Sequence, residues 1–389
     1  MIKSILDNDL YKFTMQNAVM KLYPHSKVRY SFINRGIDNF PKGFKNKLEE
    51  KINLLSKLQL TQREEKFLRE KCYFLDPVYI DFIKGFRYHP AEVKVAQRGK
   101  KLSVEIEGYW YRTILWEVPL LSLISELYFE LMNTEQINYK EIEKLNIKKA
   151  KKFEKLGAKF AEFGTRRRYS FENQFNVVKT LKKYCPTTFT GTSNVHLAHK
   201  LNLTPIGTQA HEWFMFHASK YGYKMANSTA LGRWVDIYHG NLGIALSDTF
   251  TTEAFLESFD TMHAKLFDGV RQDSGDPIEF ANILINHYKK LRINPKLKTI
   301  VFSDSLNYEK VKMIEKKVNG RINTSYGIGT YFTNDIPGVK ALNIVIKMMA
   351  AAPYGNDWDS TIKLSDVKGK NTGKTESIKL AKQVLGIKK

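Results

Sequence analysis

Apolar and polar positions alternating with a period of two mark the first strands of the chain. Val28, Tyr30 and Phe32 alternate roughly with Arg29, Ser31 and Ile33. Val93 and Val95 follow the same rule, as do Leu102, Val104 and Ile106, and Gln97-Arg98-Gly99-Lys100 between those runs has hairpin-turn chemistry. Residues 44–85 are instead rich in Leu, Lys and Glu at helical spacing, so the first 110 residues read as a mixed α+β unit. Lys140–Lys159 reads as a charged helix whose apolar stripe includes Ile142, Leu145 and Phe153, with its lysines on a solvated face. The most apolar stretch, Ile114–Phe129, is interrupted by Glu117, Pro119 and Glu126 and reads as a buried strand-to-helix segment. No stretch approaches the roughly 18 apolar residues of a membrane span.

From about residue 158 the pattern changes. Short apolar runs end in Gly, Ser, Thr, Asp or a basic residue, and most are followed by a helix-like stretch. They end at Phe163-Gly164, Phe189-Thr190-Gly191, Ile206-Gly207, Leu246-Ser247-Asp248, Val270-Arg271, Phe302-Ser303-Asp304, Tyr326-Gly327 and Ile346-Lys347. About eight βα-like units would close a parallel barrel with function at the C-terminal ends of its strands. An open doubly wound sheet is the alternative, but no early Gly-x-Gly-x-x-Gly supports dinucleotide binding. Beyond Pro353, Thr361-Ile362-Lys363-Leu364 reads as a late strand, followed by a Lys- and Gly-rich loop and a short helix.

Charge changes the picture only partly. The 389 residues carry a formal charge of +22, which first suggests nucleic acid or an anionic membrane surface. The excess comes from 48 Lys against 14 Arg, however, and the lysines are spread over helices and tails. A content of 43% hydrophobic residues excludes a disordered chain. Cys72 and Cys185 make neither a disulfide framework nor a metal-type pair, and the acidic turn at Asp7 precedes any apolar signal segment, so a reduced intracellular protein is expected.

The polar residues of interest cluster at the expected strand ends. Three successive arginines, Arg166–Arg168, cannot all face a core, so at least one is expected to reach an anion. Gly191-Thr192-Ser193-Asn194 opens a helix, with anion binding and ordinary N-capping by Ser193 as alternatives. Gly207-Thr208-Gln209-Ala210-His211 sets a histidine beside another strand end. Arg271, Asp273 and Asp276 share a Gly/Pro turn suited to a hydroxyl-rich, phosphorylated ligand, or to a plain Asx turn with Pro277 opening a helix. Val301-Phe302-Ser303-Asp304 again delivers an acid, and Gly327-Ile328-Gly329-Thr330 offers the close backbone approach that a phosphate needs. Together these residues read as a binding site for a phosphorylated sugar.

Seven motifs in order resemble those of the nicotinate phosphoribosyltransferase family. They are Asp7-Asn8-Asp9-Leu10-Tyr11-Lys12, Trp116-Glu117-Val118-Pro119-Leu120, Phe163-Gly164-Thr165-Arg166-Arg167-Arg168, Gly191-Thr192-Ser193-Asn194, Gly207-Thr208-Gln209-Ala210-His211-Glu212-Trp213, Asp273-Ser274-Gly275-Asp276-Pro277 and Gly327-Ile328-Gly329-Thr330. Asn8 departs from the family's usual Thr or Ser. The resemblance implies an α/β fold, an irregular (β/α) barrel of the type II phosphoribosyltransferase kind with an N-terminal α+β domain. The corresponding division is 1–125 for that domain, 126–350 for the barrel and 351–389 for a C-terminal segment packing back on the N-terminal domain.

The resemblance also implies a cytoplasmic enzyme of NAD salvage. It would convert nicotinate and phosphoribosyl pyrophosphate to nicotinate mononucleotide and pyrophosphate, with ATP as co-substrate and Mg²⁺ as cofactor. His211 matches the histidine that ATP phosphorylates, and a homodimer with a shared active site is expected. Asp273 and Asp304 are assigned to the ribose or metal side, and Arg271 and Arg166 to pyrophosphate or the nicotinate carboxylate. Gly327, Gly329 and Thr330 are assigned to the 5′-phosphate. Phe163 and Tyr11 are the candidate walls for the pyridine ring, Tyr11 from the second subunit. The neutral side chain of Ser193 favours nicotinate over nicotinamide, since an acid there would repel the carboxylate.

Three rival readings remain. An enzyme of the same fold acting on nicotinamide or quinolinate is the nearest. A nucleic-acid-binding protein would interleave its aromatic residues with Lys, whereas here they lie mostly in apolar periodic runs, so neither nucleic acid nor membrane is the expected partner. A barrel without activity conflicts with polar clusters at so many strand ends.

Overall fold

A computed structural model describes residues 2–36, 39–132, 138–366 and 371–387. The chain forms two compact units. The first comprises Met1–Pro24, Arg29–Gly207 and Ile328–Lys347, and the second His25–Val28, Thr208–Gly327 and Met348–Lys389.

In the first unit, strands β2 (Val93–Arg98) and β3 (Lys101–Tyr109) form the expected hairpin, with Val93 opposite Ile106 and Arg98 opposite Lys101. Gly99 takes φ 58° at the turn, a conformation that costs glycine little. Strand β1 (Lys27–Asn34) flanks β3 and buries Val28, Tyr30 and Phe32, the alternation seen in the sequence. Helices Phe44–Leu55, Gln62–Lys71 and Pro77–Gly85 fill the span with helical spacing.

The apolar stretch after β3 corrects an expectation: it contains no strand. Helix Trp110–Thr113, a 3₁₀ turn at Ile114–Trp116 and helix Glu117–Leu131 follow one another directly. Pro119 lies in the first turn of the last helix, where its missing N–H breaks no helical hydrogen bond. The charged helix runs from Tyr139 to Leu156 and ends at Gly157 in the left-handed conformation. One of its lysines leaves the solvated face: Lys149 is buried, donates to the Tyr331 carbonyl at 2.7 Å and pairs with Asp335. Strands β4 (Phe160–Glu162) and β5 (Phe189–Thr192) then pair in parallel around helix Phe171–Tyr184.

The second unit holds four more parallel strands: β6 (Ile244–Leu246), β7 (Gly269–Gln272), β8 (Thr299–Phe302) and β9 (Asn323–Ile328), whose last residue belongs to the first unit. Leu246 lies opposite Arg271, and Gln272 opposite Phe302, so these strands end level with one another. Gly269 makes the close pairing possible, since a Cβ there would fall 2.0 Å from the Thr299 carbonyl oxygen.

Among the described residues six parallel strands form, not eight. Ile206 makes no strand, because it lies between Pro205, which has no N–H to donate, and Gly207 at φ 155°; only an isolated bridge joins Thr192 and Pro205. Ile346 belongs to β10 (Ile344–Ala352), a nine-residue strand beside β1 that also pairs antiparallel with β11 (Asp359–Ser360). The Lys- and Gly-rich loop expected after Leu364 falls partly on 367–370, outside the described residues. Among the described residues no helix is long and apolar enough to cross a membrane.

Candidate functional site

Successive strand ends of the second unit deliver polar groups to one cluster. His211 is the first residue of helix His211–Tyr221, where it has no preceding helical turn to pack against. Its Nδ1 lies 3.1 Å from Thr249 Oγ1, and its Nε2 lies 3.1 Å from Asp273 Oδ2 and 3.0 Å from Lys363 Nζ. Asp248 and Thr249 follow β6, and Asp273 follows β7. Arg271 Nη2 donates to Asp273 Oδ1 at 2.8 Å, and Arg271 Nε donates to Ser303 Oγ at 2.8 Å. Ser303, just past β8, donates in turn to Asp273 Oδ1 at 2.6 Å.

Lys363 closes the cluster from the far end of the chain. Its ammonium donates to Asp248 Oδ2 at 3.0 Å, an oxygen that also accepts from Ser274 Oγ at 2.7 Å. Backbone pairing holds the lysine in place. Leu364 N donates to the Thr249 carbonyl at 2.8 Å, and Lys363 exchanges both backbone hydrogen bonds with Thr372. At the start of helix Thr252–Ser258, whose N-cap is Thr251, Asp366 accepts from Thr252 N and Oγ1 at 2.8 and 2.7 Å. Thr251, on the same loop, holds φ 73°, a strained conformation for a β-branched residue beside a site.

The electrostatics follow from this geometry. Burial, helped by the Lys363 ammonium, lowers the His211 pKa, so the imidazole is neutral near pH 7 and keeps a lone pair for nucleophilic attack. Burial works against ionising Asp273, but Arg271, His211 and Lys363 hold it well below the usual carboxylate range. Asp248 Oδ1 is buried with no hydrogen-bond partner. His211, Asp248 and Asp273 each offer a ligand atom within 4.8 Å of the others.

In the Asp273-to-Pro277 turn the two carboxylates have different partners. Asp273 enters the cluster, whereas Asp276 is the helix N-cap, accepting from Ile278 N and Glu279 N. Asp304 stays outside the network: its carboxylate accepts from its neighbour Ser305 at 3.0 Å. Gly327 is buried near the end of β9.

The first unit holds a second polar network. Ser193 does not cap the helix Val195–Leu201; Asn194 does, accepting from Leu197 N at 3.0 Å. Ser193 is thus left to donate to Asp9 Oδ1 at 2.7 Å. Burial raises the Asp9 pKa despite Arg166 and the Ser193 hydroxyl. Glu117 pairs with the fully buried Lys12 and with Arg166, whose Nη1 is 3.4 Å away.

The three arginines divide their work. Arg168 is buried and structural, paired with Asp7 and Glu126. The Arg167 pKa is depressed to about 10 by burial and by the neighbouring Arg166 and Arg35. Arg166 keeps a side chain 40% exposed. Phe163 and Tyr11 are half-buried. Gly329 passes so close to Phe163 that an added Cβ would lie 3.2 Å from the Phe163 carbonyl oxygen, and Thr330 begins the short helix Thr330–Thr333.

Sequence reasoning placed His211, Arg271 and Asp273 in a site, and the structure brings them together. It missed Asp248, Thr249, Ser303 and Lys363 as members. Three of those follow strand ends already visible in the sequence, but nothing local singles out Lys363.

Two family descriptions match the chain. The N-terminal domain of the nicotinate phosphoribosyltransferase (NAPRTase) family matches residues 6–125, and the NAPRTase family itself matches residues 158–389. The nicotinate phosphoribosyltransferase of Chromohalobacter salexigens is 52% identical, over 100% of this chain and 99% of its own. That of Methanosarcina acetivorans is 44% identical over 100% and 99%. Among solved structures, the nicotinate phosphoribosyltransferase of Porphyromonas gingivalis superposes with a TM-score of 0.97 at 44% identity, covering 100% of both chains. That of Vibrio cholerae gives 0.93 at 32% identity, over 100% of this chain and 95% of the other. The fold is accordingly that of the type II phosphoribosyltransferases, mixed α/β with parallel strands and an N-terminal domain.

Proposed function

Because the chain belongs to the nicotinate phosphoribosyltransferase family, we propose that it joins nicotinate to phosphoribosyl pyrophosphate, releasing pyrophosphate and coupling the reaction to ATP through His211. The observation that carries this proposal is the neutral His211 imidazole held between Thr249, Asp273 and Lys363. One ring nitrogen attacks the γ-phosphorus of ATP, the bond to the bridging oxygen breaks, and ADP leaves. The phosphoryl group stays on His211 until water removes it as phosphate. Lys363 and Arg271 supply the positive charge that such a group needs in a buried site.

In the transfer step the pyridine nitrogen of nicotinate attacks C1′ as the bond to pyrophosphate breaks. Asp273 stabilises the cationic sugar of the transition state, and Arg271 and Arg166 meet the anionic groups. Asp248, whose Oδ1 accepts no hydrogen bond, and Asp273 offer the oxygen donors that Mg²⁺ prefers, and they would hold that ion. When bound, Mg²⁺ neutralises charge on the leaving pyrophosphate. Asp304 takes the ribose side, Gly327, Gly329 and Thr330 receive the 5′-phosphate, and Phe163 with the Tyr11 of a second subunit flanks the pyridine ring. The enzyme acts in the cytoplasm as a homodimer.

The test is a product assay. Pure protein with nicotinate, phosphoribosyl pyrophosphate and Mg²⁺ forms nicotinate mononucleotide, faster and further toward completion when ATP is present. Replacing nicotinate with nicotinamide or quinolinate gives little product. Equal turnover of either substitute would overturn the substrate assignment.

A further inference from the structure

The first unit contains a second group of metal-ligating side chains, remote in sequence from His211. Helix Gln62–Lys71 carries Glu64 in its first turn, and helix Val195–Leu201 carries His196 and His199, three residues apart and therefore on one face. One ligand atom from each of the three lies within 4.8 Å of the others. We propose that Glu64, His196 and His199 form a binding site for a divalent transition metal of the zinc type.

Ligand chemistry selects the ion. Two imidazoles and one carboxylate are a zinc-type donor set, with water free to complete a tetrahedron. Mg²⁺ and Ca²⁺ prefer oxygen ligands throughout. Zinc bonds of about 2.0–2.2 Å place ligand atoms nearer together than 4.8 Å, so the three side chains draw inward on binding.

Two further observations point to a cation. His199 Nδ1 is buried and has no hydrogen-bond partner. Leaving such a group unsatisfied costs stability that a bound ion or an added ligand recovers. Glu64 is buried without a Lys or Arg pair among the described residues, and its nearest basic group is His196 Nδ1 at 3.4 Å from Oε1.

The surroundings are built to orient ligands. Thr61 N and Oγ1 donate to Glu64 Oε2 at 3.0 and 2.9 Å, and Ser4 Oγ donates to Oε1. His196 lies beside the Phe171 ring and His199 beside Phe67, at centroid distances of 5.9 and 5.2 Å. Carboxylate ligands fixed by such outer hydrogen bonds, in a partly apolar shell, are typical of metal sites. The ion would tie the helix carrying Glu64 to the helix that begins directly after Ser193 and Asn194. Its effect would be structural, bracing the Ser193 loop by binding the folded chain and not the unfolded one.

The experiment uses the full chain stripped of metal by a chelator and then dialysed against Co²⁺ or Zn²⁺. His211→Asn serves as the background, so that the cluster around His211 loses its imidazole ligand and keeps only the oxygen donors of Asp248 and Asp273. One equivalent of Co²⁺ is expected to bind, with the visible absorption of a tetrahedral site, and Zn²⁺ is expected to displace it and raise the Tm. In the same background His199→Gln is expected to weaken Zn²⁺ binding by more than about 100-fold, beyond the loss caused by removing a residue that only supports a ligand. His199 is only partly buried, so this variant should fold, and its metal-free Tm checks that it does. Glu64→Gln provides the second variant, read by the Co²⁺ spectrum. Absence of stoichiometric binding in His211→Asn, or unchanged binding in folded His199→Gln, would overturn the proposal.

Discussion

Arg168 grips Asp7 with two parallel hydrogen bonds, Nη1 to Oδ1 at 2.7 Å and Nη2 to Oδ2 at 3.0 Å, across 161 positions of sequence. Both side chains are fully buried, and Glu126 takes the remaining Nε at 2.7 Å. Asn194 also donates to Asp7 Oδ1 at 2.7 Å, so the pair fixes the start of the helix Val195–Leu201. Removing one partner strands the other as an uncompensated buried charge. Arg168→Ala should therefore destabilise the protein by about 3–5 kcal/mol, measured by urea denaturation. Arg168→Lys should recover only part of this, because an ammonium cannot reproduce the bidentate geometry.

His211→Ala should abolish substrate-coupled ATP hydrolysis while leaving slow, ATP-independent formation of the mononucleotide. Rates of ADP and mononucleotide release measured together check this. Persisting coupled hydrolysis would remove His211 from the phosphoryl relay.

Lys363→Met keeps most of the side-chain length and removes the charge beside His211 and Asp248. Coupled turnover should fall by about 100–1,000-fold, the usual size of losing one preorganised electrostatic donor. The ATP-independent rate should change much less, and Lys363→Arg should restore part of the coupling. Equal losses in both rates would indicate a general structural role.

Ser193→Asp sets a second carboxylate against Asp9, which lies 2.7 Å from the Ser193 hydroxyl. Repulsion of the nicotinate carboxylate should lower kcat/KM for nicotinate by about tenfold or more. Activity with nicotinamide should fall less. Parallel steady-state kinetics with the two pyridines distinguish these outcomes.

Glu162 gives a pH signature of stability. Burial, with Asp9 nearby, raises its pKa to about 7 even though Thr192, Gly164 and Gln174 donate to it. A carboxyl whose folded pKa exceeds its unfolded value stabilises the fold while protonated, and that contribution disappears as pH rises through the folded pKa. Stability should decline between about pH 5 and pH 8, by on the order of 2–3 kcal/mol from this group. Glu162→Gln should flatten that part of the profile in denaturation measurements at the two ends.

Local rules made the elements legible where one pattern acted alone. The period-two runs at Val28–Phe32 and Leu102–Ile106 are strands because each has one face to bury. Ile114–Phe129 misled because hydrophobicity on every side gives no period, and a proline in a helix's first turn looks like a break. The apolar end at Ile346-Lys347 resembles one more parallel strand, whereas β10 alternates buried and half-buried positions over its first six residues, as an antiparallel strand does. Motifs at strand ends identified His211, Arg271 and Asp273. Lys363 and the Asp7–Arg168 pair were beyond such reasoning, since their partners are chosen by long-range packing and not by spacing.

The backbone pairing of Leu364 with Thr249 has a consequence for biosynthesis. In a growing chain His211, Asp248 and Asp273 are all synthesised before Lys363. The ammonium that completes the cluster arrives only with a segment made after β6 to β9. Fragments released early from the ribosome, or clipped before that lysine, would therefore carry most of the ligand-binding motifs but lack the charge that completes the His211 cluster.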